Sequence, residues 1–312
     1  MNERIVRDYV VTQDRAGERF DVVATTLIGE FSREQIKRWI RAGELTVNGA
    51  PEDASTRLRG DEQVRLDATL VAREDWRSAQ YVPFAVVHED AALLVIDKPP
   101  GVVVHPGAGT TDLTLVNGLL ARYPELAVVP RAGIVHRLDK DTSGLMLIAR
   151  TLAVHARLVA KIAAREVGRR YLVLVHGAVA APFKVDAPIG RDAQVRTRMA
   201  VAGGGRPALT LFRPLAAVPG ATLLEAQLTT GRTHQIRVHL AHAGYPVIGD
   251  PRYGRRGGVP AAAAFDRQAL HAWRLTVTHP VSGAALAWHT PPPSDFADLL
   301  RELGIPVPEP GR

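Results

Sequence analysis

The densest run of chemically capable side chains is His136-Arg137-Leu138-Asp139-Lys140-Asp141-Thr142-Ser143-Gly144. Acids and bases mix in it, which suits either catalysis or a turn stitched by local ion pairs. Ile134-Val135 precedes the run and a β-like stretch, residues 145–149, follows it. It therefore reads as a loop held by sheet, where catalytic groups concentrate. A metal reading takes His136, Asp139 and Asp141 as ligands, completed by His234, His239 and His242. Those histidines are interleaved with Arg232 and Arg237, whose charges would repel a cation, so no metal is expected.

The second constellation is Thr229-Thr230-Gly231-Arg232-Thr233-His234-Gln235-Ile236-Arg237-Val238-His239-Leu240. Thr233 fits an N-cap, Ile236 and Leu240 share a face, and Gly244 supplies the stop. Such a helix displays Arg237 near its middle and Arg232 at its N-terminal approach. The pattern fits a basic surface helix; it also fits an anion held by backbone N–H groups beside Gly231.

Several elements must position these groups. From residue 84 onward the chain reads as short β-like runs, at 93–96, 101–104, 145–149, 171–175 and 223–228, with helices at 113–122 and 152–165. This mixture predicts an α+β fold with a mainly antiparallel, mixed sheet. A smaller α/β unit precedes it. Ser32-Arg33-Glu34-Gln35 has capping-box form, opening a helix that runs to Ala42 and stops at Gly43. Ile36 and Ile40 share one face of it, and Arg33, Lys37 and Arg41 share another. Residues 44–47 and the pair Asn48-Gly49 read as a hairpin, and a strand at 62–66 closes the unit. The boundaries expected are 14–75 for the small unit, 76–83 for a linker, 84–303 for the large domain and 304–312 for a flexible, Pro-rich tail.

Composition narrows the function. With 46% hydrophobic residues, 22 Pro and 27 Gly, the 312-residue chain is ordinary globular protein. Its 39 Lys+Arg against 32 Asp+Glu favour polyanionic partners. The absence of cysteine excludes disulfides, thiolate zinc sites and cysteine nucleophiles. Residues 1–10 carry charges of both signs and do not read as a secretory signal, and no apolar run approaches the roughly 20 residues of a membrane helix. A cytoplasmic protein with no membrane partner is expected.

Residues 136–144 resemble the signature of the RluA-type family of RNA pseudouridine synthases. Further matches follow in family order: residues 97–106, Arg170-Tyr171-Leu172, the 231–239 run, and Arg267-Gln268-Ala269-Leu270-His271-Ala272. The small unit in front resembles an RNA-binding domain shared by a ribosomal small-subunit protein, several RNA-modifying enzymes and some tRNA synthetases. Together these imply an isomerase that converts uridine to pseudouridine in large-subunit ribosomal RNA. It would act as a monomer, on RNA that is free or within an assembling subunit. A non-catalytic ribosome-assembly factor on the same fold and a metal-dependent RNA hydrolase are the competing readings.

The resemblance also assigns roles. Asp139 is the catalytic carboxylate, since an oxocarbenium-like sugar must be captured or stabilised, and no cofactor is implied. Arg237 is its cationic partner, opposing the pKa rise that burial brings. Tyr171 packs against the reacting base. Extrusion of that base costs a few kcal/mol, and Arg137 is placed to brace the gap. RNA contact is expected from His136, Arg232, His105, Lys98, Arg196 and Arg198, with Arg191 and Arg206, and from Arg33, Lys37 and Arg41 of the small unit. Arg170 departs from the family pattern, which often has an acidic or neutral residue there.

Overall fold

The computed structural model describes residues 3–29, 31, 33–70, 78–106, 112–195, 197–255, 259–262 and 264–309. The chain divides into two compact units, Met1–Asp75 and Trp76–Arg312. Ser32, the expected helix cap, and Arg196 lie outside the described residues.

In the first unit, β1 (Glu3–Val10), β2 (Leu45–Val47) and β3 (Gln63–Leu70) form an antiparallel sheet in the order β1-β3-β2. Helices α1 (Phe20–Ile28) and α2 (Arg33–Ala42) supply its apolar cover. Phe20, Val23, Ala24 and Ile28 of α1 are buried, as are Ile36, Trp39 and Ile40 of α2, each set at helical spacing. Gly43 ends α2 at φ 71°, as its position predicts. Asn48 and Gly49 both have positive φ, and Val47 and Ala50 exchange backbone hydrogen bonds across them. The expected hairpin ends at that single bridge: the chain turns away, and β2 pairs with β3 instead. The unit also begins earlier than residue 14. Strand β1 pairs with β3 over its full length, although only Ile5 and Tyr9 of it reach the core.

The second unit is built on a nine-stranded mixed sheet. Its strands are β4 (Ala85–Glu89), β5 (Leu93–Lys98), β6 (Ser143–Ala149), β7 (Gly168–His176), β8 (Phe183–Asp186), β11 (Leu209–Val218), β12 (Ala221–Leu228), β13 (Leu270–Thr278) and β14 (Ala285–His289). They run β4-β5-β6-β13-β7-β12-β11-β8, with β14 on β13, and a separate pair joins β9 (Ile189–Arg191) to β10 (Met199–Val201). Only β6 and β13 pair in parallel, which matches the expected α+β class. Every residue of β6 is buried, because apolar side chains cover both faces, as central strands require. On one face lie α3 (Leu115–Arg122), α5 (Gln235–His242) and α6 (Ser294–Glu302), through Leu119, Leu240 and Phe296 among others. On the other, α4 (Leu152–Ala163) places Val154 and Leu158 against Leu93, Val95 and Leu147.

Three expectations change in this unit. Residues 101–104 form no strand; the chain bends round Lys98, whose ammonium donates to Val102 O at 3.0 Å. From Ser78 the stretch expected as linker is tied to α3: Asn117 Nδ2 donates to Ser78 O at 2.9 Å, and Val82 is buried. At the other end, Ile305 of the expected tail is buried in the main core and Val307 packs on it.

Candidate active site

The loop carrying Asp139 is fixed along its whole length. Leu138 is buried in the main core, and Thr142 N donates to Asp139 O at 3.1 Å, closing a turn. Lys98 Nζ donates to Lys140 O at 2.9 Å, and Arg267 Nη1 to Asp141 O at 3.1 Å. Gln268 Nε2 donates to Thr142 Oγ1 at 3.1 Å. Gly144 follows at φ 114°, where a Cβ would sit 2.2 Å from Ala272 O. Glycine is therefore demanded where β6 meets β13. Asp139 is thus a projecting side chain on a backbone with little freedom.

Arg237 meets it. Its Nη1 donates to Asp139 Oδ2 at 2.8 Å. Its Nε and Nη2 donate to the two oxygens of Asp250 at 2.7 and 2.8 Å. This fork is the geometry a guanidinium makes best. Asp250 is fully enclosed, whereas the Asp139 side chain remains 17% exposed. Asp250 also accepts from the N–H groups of Arg252 and Tyr253. Burial pushes its carboxyl up, but Arg237 and these donors outweigh that and hold it below the usual range. Burial likewise works against the Arg237 charge, and the two carboxylates more than compensate, raising its pKa. Tyr253 lies under the guanidinium, 5.1 Å from ring centroid to Cζ.

Helix α5 starts one residue later than expected. His234, not Thr233, occupies the N-cap position, in the left-handed region at φ 57°. No side chain caps the helix, and Gln235 instead ties down the turn before it: its Oε1 accepts from Arg232 N at 2.9 Å and from Thr230 Oγ1 at 2.8 Å. The left-handed turn brings His234 Nε2 to 3.9 Å from Asp139 Oδ1, while its Nδ1 lies 2.8 Å from Tyr253 Oη.

Tyr171 is buried on β7. Burial raises its pKa; Arg169 opposes the rise and Asp139 adds to it, which places the phenol in the field of the same carboxylate. Asp139 and Arg237 are thus in direct contact, and Tyr171 lies within reach of the carboxylate's charge.

The expected RNA contacts fare differently. Lys98 is overturned as a phosphate ligand: it is fully buried and donates to the carbonyls of Pro99, Val102 and Lys140. Burial pushes the ammonium down to about 7, against the pull of Asp141 and Asp139. Three carbonyl acceptors match three N–H donors, which a neutral amine lacks. His136 turns inward, and its Nε2 accepts from Leu147 N at 2.9 Å. Burial, with the Arg169 charge, pushes it down to about 3, so it is a neutral brace of the loop. His105 is half-buried and pushed down to about 4 by burial and by Arg131 and Arg137. It is thus a neutral partner beside two cations. Arg137 is exposed beside the loop, and Arg232 is half-buried, its Nε donating to Pro207 O at 3.1 Å. Arg198 packs its guanidinium over Tyr253, and Arg206 is exposed. Arg170 pairs with buried Glu225 at 3.0 Å, a contact that Arg213 shares at 3.2 Å, so its departure from the family pattern has a local partner. In the first unit, Arg33 and Lys37 approach Asp21 at 2.9 and 3.4 Å. Arg41 lines a hollow with Lys37, Glu52 and Asp53.

Two residues at the site went unread in the sequence: Asp250 and Tyr253. The signal for them is Gly249-Asp250-Pro251-Arg252-Tyr253, a turn-forming run holding an acid after the Arg237 helix.

Comparison with known proteins settles the lineage. Residues 92–242 match the model of the RNA pseudouridylate synthase family. The chain is 45% identical to "Ribosomal large subunit pseudouridine synthase D" of Pseudomonas aeruginosa, over 97% of each chain. It is 46% identical to the protein so named in Xanthomonas campestris, over 96% of this chain and 92% of that one. The chain belongs to the RNA pseudouridylate synthase family. Among solved structures, human RNA Pseudouridylate Synthase Domain Containing 1 superposes with a TM-score of 0.55 at 25% identity, covering 73% of this chain and 97% of that chain. Human RNA Pseudouridylate Synthase Domain Containing 4 gives 0.58 at 24%, over 72% and 95%. The matched stretch holds Asp139, Tyr171 and Arg237, while the Asp250 clamp lies beyond it. Among the described residues no helix is long and apolar enough to cross a membrane.

Proposed function

We propose that this chain isomerises uridine to pseudouridine in large-subunit ribosomal RNA, with Asp139 as the catalytic carboxylate. The observation that carries the reading is the partly exposed Asp139 held at 2.8 Å by an arginine that is itself locked to a buried aspartate. Such a carboxylate is preorganised for a reaction centre and needs no movement to meet it. The substrate class comes from the relatives' name. The target base leaves its stack, Arg137 braces the gap, and the base enters beside Tyr171. The C1′–N1 bond breaks, Asp139 takes up the electron-poor sugar carbon, and the base turns. C5 then bonds to C1′, the carboxylate leaves, the C5 proton goes to solvent and N1 gains one. Nothing is oxidised or reduced, so no redox carrier enters the reaction, and no cofactor is called for.

Phosphates are met by Arg137, Arg232, Arg198 and Arg206, with Arg196 contributing from the same basic stretch, and His105 donates or accepts as a neutral group. The first unit is an RNA anchor through the outward faces of Arg33, Lys37 and Arg41. The enzyme works as a cytoplasmic monomer, on large-subunit RNA that is free or within an assembling subunit. Tritium release from large-subunit RNA labelled at uridine C5, measured with and without chelator, tests this. Release unchanged by chelator, and absent with small-subunit RNA, is the expected result. A requirement for added metal, or no release at all, overturns it.

A further inference from the structure

The surroundings of Arg169 are unusual. This arginine lies on β7 two residues before Tyr171, so the alternation of a strand puts both side chains on one face of the sheet. The residue is only 7% exposed. Its Nε is shut off from solvent with no hydrogen-bond partner, and among the described residues no acid pairs with its guanidinium. Gly231 shows where the side chain goes: a Cβ there would lie 2.8 Å from Arg169 Nη1. The guanidinium therefore presses on the backbone at the start of the Arg237 motif. Tyr171 and His136 both feel its charge. It stands between the loop of Asp139 and the turn before α5, in the wall beside the phenol that borders the site.

A guanidinium cannot shed its proton in a protein, and a buried N–H without an acceptor is unfavourable. A fold keeps one where a ligand supplies the missing acceptor. A phosphate is a poor match for an arginine only 7% exposed on a strand, whereas a base held beside Tyr171 would lie on the same face of β7.

We propose that Arg169 receives the negative charge that develops on the uracil when its bond to the sugar breaks, hydrogen-bonding a carbonyl oxygen of the base. The inference rests on the reading of Asp139 given above. As C1′–N1 breaks, the electron pair leaves with the base and spreads over N1, O2 and O4; the sugar carbon passes to Asp139. Arg169 and Asp139 thus stabilise opposite halves of one heterolysis. When C5 joins C1′, the C5 proton departs, N1 is protonated and the base is neutral again.

The experiment compares wild type with Arg169→Met and Arg169→Lys, by single-turnover tritium release at saturating RNA, filter binding and thermal melting. In Arg169→Met the chemical rate should fall about a hundredfold, the loss typical of one anion-stabilising donor. Affinity for RNA should stay within about threefold of wild type, since no phosphate contact is lost. The melting temperature should hold or rise, because a buried N–H without an acceptor has been removed, and lysine should restore part of the rate. Arg169→Gln carries the same test should the Met variant not fold. A rate within about threefold of wild type overturns the proposal. So does lost affinity with full rate at saturation, the signature of a phosphate contact, and so does a lower melting temperature with no recovery by lysine. A wild type that releases no tritium overturns the reading of Asp139 instead.

Discussion

Each unit contains a carboxylate gripped by basic residues, and the two arrangements are inverted. Around Asp21 the acid is fully buried and its partners Arg19, Arg33 and Lys37 face water. Around Arg237 the base is buried and one of its two acids, Asp139, faces outward. Whichever partner is outside is the one a substrate meets. The first unit therefore offers positive charge, anchored from below and suited to phosphate. The second offers a carboxylate, anchored from below and suited to chemistry. In both, the inner member holds the outer one in position.

Removing the inner member should cost most in the second unit. Arg237→Met leaves Asp250 buried without its cation, a change worth about 3–5 kcal/mol of stability, and should lower tritium release at saturating RNA by about a thousandfold. Urea denaturation and single-turnover assays check the two parts. A stable, active variant would break the contrast at its root. Asp250→Asn should be milder, about 2–3 kcal/mol by urea denaturation, because Asn retains acceptor capacity for the N–H groups of Arg252 and Tyr253. Stability within error of wild type would show that the fork is not a clamp.

In the first unit, Asp21→Asn should cost only about 1–2 kcal/mol, because its partners are exposed and screened. It should also tighten RNA binding at low salt, since one negative charge among three cations is gone. Weaker binding would show that Asp21 positions the cations more than it neutralises them. The smallest effect concerns pH. His136 is held near 3 when folded and titrates near 6.5 unfolded. The unfolded chain thus takes up the proton first, and stability is full above about 6.5 and lost as pH falls toward 3. His136→Gln should remove most of that acid sensitivity, read from denaturation midpoints between pH 7 and 4. An unchanged pH slope would show that the imidazole is not the neutral acceptor of the Leu147 N–H.

What could be read in the sequence follows from range. Helix α2 and its stop at Gly43, the buried runs of β5, β6, β7 and β12, and the α+β class all announce themselves within a few residues. Strand β1 does not: Arg7 interrupts its alternation, and its place depends on pairing with β3 some sixty residues away. Asp139 and Arg237 were visible as types, but their joining needs α5 to cross the Asp139 loop, 98 residues earlier in the chain. Lys98 misled because charge suggests surface, and only the fold shows three carbonyls converging on its ammonium. Asp250 and Tyr253 lie in a run that local pattern marks as a turn, but their contacts with Arg237 and His234 depend on the fold.

The most direct trial of the whole account is Asp139→Asn, assayed for tritium release at saturating RNA alongside circular dichroism and RNA affinity. The amide keeps the shape and a hydrogen-bond acceptor for Arg237, yet it can neither hold negative charge nor leave a sugar carbon as a carboxylate. The expected variant is a folded protein that binds RNA and releases tritium about ten-thousandfold more slowly or not at all. Release at the wild-type rate from the folded variant would contradict Asp139 as the catalytic carboxylate.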